Sequence, residues 1–160
     1  MTPLLLQDAL AEFLKKELGT YLLDTNTEIK KAPQIVKNFL PLKGTSDTPD
    51  FPFVIIRMAG EEDTGEQAIV TVKLIVGVLS EDVQQGSGDL LNLIERTRQA
   101  LFKKRVIDKR FRVEYPFEWE APDEQPYPEW MAVITTRWTI PKLIEEDDYG
   151  QRNFGEAAGC

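Results

Sequence analysis

Apolar positions recur at two different periods along the chain, and the period separates helices from strands. Leu6, Leu10, Leu14 and Leu18 follow the spacing of one face of an α-helix. Pro3 suits the first turn of such a helix, where no backbone N–H is needed. The pattern predicts a first amphipathic helix near the N-terminus, with its leucine face in the core.

A second helix is predicted over residues 89–106, after a polar loop over residues 80–88. Leu90, Ile94, Thr97 and Leu101 recur at helical spacing and mark its buried stripe. Arg98 follows Ile94 by four residues, so the same spacing places a cation in that stripe. We expect it to extend past the core or to contact a partner.

Strand-like alternation is clearest over residues 67–79, where every even position from Ala68 to Val78 is apolar. Residues 51–58 are almost continuously apolar, which is typical of a strand covered on both faces. Further strands are predicted over residues 111–120 and 130–140, with shorter ones at 20–23 and 34–40. Pro116 indicates an edge or a bulge in its strand.

The order of these elements predicts an α+β fold, with a mostly antiparallel sheet of four to five strands and two main helices packed on one face. Residues 43–50 have the composition of a loop. We expect a single domain over residues 1–142. An acidic and flexible tail is expected over residues 143–160, because four consecutive acidic residues begin at Glu145 and little apolar surface follows.

Composition removes most kinds of catalytic chemistry from consideration. The chain has no histidine, and its one cysteine is Cys160, so neither a histidine-dependent triad nor a zinc site of histidine and cysteine can form. We therefore predict no enzyme activity, no catalytic residues, no metal and no cofactor. The net charge of −8 disfavours nucleic-acid and anionic-membrane binding. A cytoplasmic setting is the simplest expectation.

Three local clusters allow a functional and a plain reading. Gly86 and Gly88 could open a phosphate-binding helix terminus, but a capping turn is the simpler interpretation. A group of four acidic residues in a hairpin loop could bind a hard cation or form a solvated tip; these are Glu61, Glu62, Asp63 and Glu66. Basic residues of the second helix could bind nucleic acid, or stabilise the negative end of the helix.

Separation of charge along the chain suggests self-assembly. The acidic hairpin and the basic helix end, represented by Arg98, Lys103 and Arg105, lie far apart in sequence. A subunit polarised in this way can meet its neighbour head to tail, which is the geometry that closes rings. Ordinary alternating surface charge is the alternative. Trp119 or Trp130 could anchor an interface, whereas Trp138 is expected in the core.

The order of elements also resembles a known family. A leading helix is followed by Phe51-Pro52-Phe53-Val54-Ile55-Ile56-Arg57, an acidic hairpin, and a long strand ending at Leu79-Ser80-Glu81-Asp82. Gly86 and a second helix, a strand into Trp119, the Pro-rich link into Trp130 and a last strand stopping at Ile140-Pro141 complete the pattern. Over about residues 1–142, this order resembles the small tail terminator (tail completion or neck) proteins of long-tailed bacteriophages and prophages.

The resemblance implies a structural protein of the virion, located at the junction of tail and neck and assembled in the cytoplasm of a bacterial host. Such a protein forms a homo-hexameric ring at the head-proximal end of the tail tube. Its partners would be other copies of itself, the tail tube protein and the head-tail connector protein, with genomic DNA passing through the channel without specific binding. The resemblance gives the hairpin (61–66) and the loop containing Glu81 and Asp82 as contact sites by position.

Two other classes of function stay open. A monomeric adaptor or inhibitor could bind another protein through an edge of the sheet. A carboxylate-based or metal-dependent enzyme would need several Asp and Glu side chains to converge in a pocket. Size-exclusion chromatography with light scattering separates a ring from a monomer.

Overall fold

Two helices and six strands are formed by residues 3–25, 30–40 and 51–143, which are the residues that the computed structural model describes. In chain order they are α1 (Pro3–Leu18), β1 (Gln34–Lys37), β2 (Phe53–Asp63), β3 (Ala68–Leu79), α2 (Val83–Lys104), β4 (Val106–Ile107), β5 (Phe111–Glu120) and β6 (Glu129–Ile140).

All six strands belong to one sheet in the order β1-β2-β3-β6-β5-β4. β1 runs parallel to β2, and each of the other neighbours is antiparallel. The α+β class is therefore confirmed, while the expected sheet of four to five mostly antiparallel strands is corrected to a mixed sheet of six. β1 lies within the strand expected at 34–40, whereas β4 was not predicted, because its two residues are too few for alternation to stand out.

Both helices pack on the same face of the sheet, and the core lies between the helices and the sheet. The even positions of β3 are buried there, as the alternation predicts. Trp138 is fully buried, and its indole N–H donates to the Thr136 hydroxyl at 2.9 Å. Each apolar side chain buried in this way contributes about 1.5–3 kcal/mol of transfer free energy, so this layer supplies the main stabilisation.

The opposite face of the sheet carries no helix among the described residues, and its two ends differ in chemistry. At the end where β2 begins, the Phe53 ring lies across Gly77 so closely that no Cβ could be accommodated there. Phe51 stacks on Phe53, with ring centroids 4.8 Å apart. Phe53 to Ile56 are all buried, which confirms a strand covered on both faces. Farther along the strands the same face becomes polar and charged.

The start of α2 corrects the sequence prediction. The helix begins at Val83, six residues earlier than expected, because Asp82 caps it by accepting a hydrogen bond from the Gln85 N–H at 2.9 Å. Gly86 and Gly88 therefore lie inside the helix and do not open it. Gly86 packs against the Trp130 indole, so its lack of a side chain serves packing. These two glycines therefore do not provide the free helix terminus that phosphate binding would need.

Smaller differences concern the ends of strands. The strand expected at residues 20–23 is replaced by a single bridge between Leu23 and Lys31. The strand expected at 34–40 ends at Lys37, and β2 continues through Asp63, so most of the expected acidic loop is strand. Three parts of the chain lie outside the described residues. They are Thr2, the loop expected at 43–50 and the segment from 144 to 160.

Candidate interaction surfaces

The β2–β3 hairpin carries the predicted acidic group at its tip. β2 ends with three exposed acidic residues, Glu61, Glu62 and Asp63. Glu66 lies in the turn that follows. Gly65 adopts a φ of 87°, and the Thr64 N–H donates to the Gln67 carbonyl at 2.9 Å, which closes the turn. Among the described residues, no three acidic or other ligating side chains come close enough to hold a metal ion. The tip is therefore an exposed acidic projection.

Glu81 and Asp82 lie at the other end of the sheet, where β3 leads into α2. Asp82 is occupied as the helix cap. The Glu81 carbonyl accepts a hydrogen bond from the Tyr127 hydroxyl at 2.7 Å. These backbone and capping contacts order the loop and leave the Glu81 side chain exposed.

Arg98 points away from the core, although helical spacing placed it within the buried stripe. It is exposed and forms an ion pair with Glu95, one helical turn earlier. Hydrogen bonds from Arg98 and Gln99 hold the pKa of Glu95 at about 2. The stripe of Leu90, Ile94, Thr97 and Leu101 is buried as predicted, so Arg98 belongs to the neighbouring solvent-facing side.

Arg105 fastens the end of α2 to β5. It adopts a φ of 61°, and its N–H donates to the Leu101 carbonyl at 2.8 Å. Its guanidinium donates to the Val113 carbonyl at 2.9 Å and reaches the Glu114 carboxylate at 3.3 Å. Lys103, by contrast, is exposed. Within this predicted group, Arg105 has a clear role in the fold, which sequence spacing could not reveal.

The residues predicted as one interface fall on separate parts of the molecule. Pairing of Ala68 with Ile140, and of Arg112 with Thr139, places the hairpin tip and the end of α2 at the same end of the strands. Glu81 and Asp82 lie at the opposite end. The acidic hairpin and the basic helix end therefore share one end of the sheet, and Glu81 and Asp82 lie apart from both.

Sequence reasoning missed most of an aromatic group along the free edge of β5. β4 pairs only with Phe111 and Arg112, so β5 has no outer neighbour beyond them among the described strands. Tyr115 is 66% exposed and Trp119 is 43% exposed along this edge. The Phe102 ring of α2 lies 4.5 Å from Tyr115 and 5.8 Å from Phe117. We call Tyr115, Glu118 and Trp119 the β5-edge patch.

A second exposed aromatic group lies on the opposite edge of the sheet. Phe39, just after β1, is 70% exposed, and the Arg57 guanidinium lies over its ring at 4.4 Å. Arg57 Nε also donates to the Asn38 carbonyl at 3.1 Å. We call Phe39 and Arg57 the β2-edge patch. The one sequence signal for it was a cation at the end of an apolar strand.

Strand register places Arg57 and Glu118, one residue from each patch, at the same height on the sheet. Arg57 pairs with Lys73, Lys73 with Thr135, and Thr135 with Glu118. Directly paired residues share a face, so all four lie on the helix-free face. A shallow depression of about 490 Å³ lies along this row and includes Lys73, Glu118 and Trp119.

A groove of about 460 Å³ lies between α1 and the turn after β4. Its floor is apolar, formed by Leu5, Ala9, Phe13 and Ile107. Side chains of both signs surround it, namely Asp8, Glu12, Lys16, Lys104, Asp108 and Arg110. Because neither sign predominates, the groove does not select a ligand by charge.

Comparison with protein-family models and with curated proteins finds no match for this chain. In the part of the chain that the structure describes, no helix is both long enough and apolar enough to cross a membrane.

Proposed function

We propose that this chain is a structural component of a bacteriophage or prophage tail, which forms a ring at the head-proximal end of the tail tube. The ring ends polymerisation of the tube and offers a surface to the head connector. Its site is then the virion, at the junction of tail and neck, and its action is contact with other proteins.

The observation that carries this proposal is the exposure of aromatic side chains on both lateral edges of one sheet. Phe39 lies on one edge, and Tyr115 and Trp119 lie on the other. Aromatic residues and arginine are enriched in protein interfaces, where they supply most of the binding energy. A subunit with one adhesive edge on each side suits a chain of like subunits that closes on itself.

The acidic hairpin adds support at the level of charge. Glu61, Glu62 and Asp63 project at one end of the sheet, and the whole chain carries a net charge of −8. Acidic groups around a channel repel phosphates, so DNA passes without adhering. The resemblance of the sequence to tail terminators is a further support for the proposal.

A direct test examines both the ring and its effect on tails. Negative-stain images of the purified protein, alone and mixed with tail tubes, should contain rings with a central hole at one end of each tube. Disruption of the gene in the phage that encodes it should give tails of uncontrolled length without attached heads. Tails of normal length joined to heads would refute the proposal.

A monomeric adaptor is the second candidate, and the free edge of β5 favours it. Residues beyond Arg112 in β5 have no outer strand among the described residues, so a peptide could add there. Light scattering across protein concentration discriminates the two. An adaptor stays monomeric even beside tail tubes, whereas a ring component associates in at least one of these conditions.

A further inference from the structure

The two edge patches are complementary in charge as well as in position. Arg57 and Glu118 form no ion pair with any described residue, although both lie on the helix-free face. Within one subunit they are three strand spacings apart, about 14 Å, so they cannot reach each other. Neither charge has an ion-pair partner among the described residues, so a contact between subunits can supply one to both.

Among the described residues, no strand covers either edge at the height where these charges lie. β1 has ended at Lys37, which pairs with Ile56, so β2 is the outermost described strand at Arg57. β4 pairs only with the start of β5, so β5 is outermost at Glu118. At this row, no described strand stands between either patch and a neighbouring subunit.

The shared row also defines the symmetry of the contact. Arg57 and Glu118 are linked by direct pairing through Lys73 and Thr135, without displacement along the strands. Rotation about an axis parallel to the strands therefore brings one patch against the other with no rise. A heterologous contact without rise closes into a ring when its rotation divides a full turn, whereas a contact with a rise forms an open filament.

We infer that the occupant of each edge is a second copy of this chain, in a head-to-tail contact between the β2-edge patch and the β5-edge patch. Arg57 of one copy pairs with Glu118 of the next. Phe39, whose ring lies against the Arg57 guanidinium, is at the same boundary. The inference rests on the proposed ring, and it names the surface on which that ring is built.

Cysteine cross-linking tests the contact directly in the full chain. Cys160→Ser removes the natural thiol, and Arg57→Cys or Glu118→Cys then adds one at either patch. A short bis-maleimide should join a mixture of the two variants into dimers, while each variant alone stays uncoupled. A chain carrying both substitutions should give a ladder of multimers.

Glu62→Cys combined with Glu118→Cys is the matched control. Glu62 is on the same edge strand and face, but its partner in β3 is Ile69, four residues from Lys73, or about 13 Å along the strand. Because of that displacement, the cross-linked yield of this pair should be at least about fivefold lower than that of Arg57→Cys with Glu118→Cys. Equal coupling of the two pairs, or dimers from either single variant, would overturn the inference.

Charge reversal separates pairing from packing. Arg57→Glu and Glu118→Arg should each weaken self-association by about tenfold, since close interfacial charge pairs are commonly worth more than 1.4 kcal/mol. The double reversal should restore association. Circular dichroism on each variant checks that the fold is retained.

The outcomes distinguish this inference from the proposed function. Rings that form normally in both single reversals would contradict the Arg57–Glu118 contact but would not contradict the tail function. Specific cross-linking between positions 57 and 118, together with normal tails after gene disruption, would support the contact and contradict the tail function.

Discussion

Gly86 illustrates how one residue can be misread when its neighbours in space are unknown. In the sequence it lies beside Gly88 and suggests a loop. In the structure it lies inside α2, where the Trp130 indole occupies the volume of a Cβ. The Trp130 N–H in turn donates to the Ser80 carbonyl at 2.9 Å, which fixes the ring against the helix.

Gly86→Ala should lower the free energy of unfolding by about 1–3 kcal/mol, because the added methyl group overlaps the fixed indole. Gly88→Ala is the matched control, since a Cβ there meets nothing within 4 Å. It should raise stability by about 0.4–1 kcal/mol through the lower entropy of the unfolded chain. Urea denaturation measures both changes. Equal effects at the two positions would contradict the packing role of Gly86.

Asp89 is a carboxylate whose surroundings oppose its charge. Burial, followed by the nearby negative charge of Asp24, raises the pKa of Asp89 above its ordinary value of 3.8, although Gln85 and Lys30 act in the other direction. A raised folded-state pKa means that the contribution of this group to stability is fully present below pH 3.8. It is lost as pH rises through the folded-state pKa.

Asp89→Asn should therefore raise the melting temperature at pH 7 by about 1–3 °C, and by less at pH 3, where the native carboxyl is neutral. Calorimetry at the two pH values is the measurement. Asp123→Asn, at an exposed position in the link before β6, serves as the control. A gain of the same size at pH 3 would mean that the amide itself, and not loss of charge, stabilises the fold.

At the scale of elements, the end of α2 and the start of β5 are joined by one side chain. The Arg105 guanidinium donates to the Val113 carbonyl, and the Val113 N–H donates to the Arg105 carbonyl at 2.8 Å. The same guanidinium lies over the Tyr115 ring at 4.9 Å. This set of contacts connects the helix layer to the strand that carries the β5-edge patch.

Arg105→Ala should lower the free energy of unfolding by about 1–3 kcal/mol, because the Val113 carbonyl loses its side-chain donor and Glu114 loses one of its partners. Lys103→Ala, two residues away and exposed, should change it by less than about 0.5 kcal/mol. Chemical denaturation compares the two. Similar losses would show that general positive charge at the helix end, and not these hydrogen bonds, is responsible.

At the scale of the whole molecule, the proposed contact joins an ion pair to the exposed aromatic ring of Phe39. The ion pair is weakened by salt, because the Debye length falls from about 10 Å at 0.1 M to about 3 Å at 1 M. The aromatic contact is strengthened or unaffected by salt. The balance between the two decides how association depends on ionic strength.

Self-association of the wild type should weaken by about three- to tenfold between 0.05 M and 0.5 M NaCl, as expected for a partly screened charge pair. Sedimentation velocity at each salt concentration measures the change. The chain with both Arg57→Glu and Glu118→Arg should keep the same dependence, while either single reversal should flatten or invert it. Association that increases with salt in the wild type would assign the contact to the aromatic residues alone.

The sequence by itself determined the elements whose periodicity is long and regular. These are the leucine face of α1, the buried stripe of α2 from Leu90 to Leu101 and the alternation along β3, together with the α+β class. Burial of one face of a long element imposes a repeating pattern that can be read without coordinates. An edge or a bulge at Pro116 was predicted as well, since proline cannot donate to a strand ladder, and the register shifts there.

Only the tertiary structure decided the mixed sheet, the early start of α2 and the two edge patches. β4 has two residues and leaves no periodicity, and the parallel pairing of β1 is set by β2, which is distant in sequence. Gly86 is tolerated in a helix because of Trp130, and Arg57 shares a row with Glu118 because of strand register. Such relations depend on contacts between segments far apart in the chain, which local sequence does not encode.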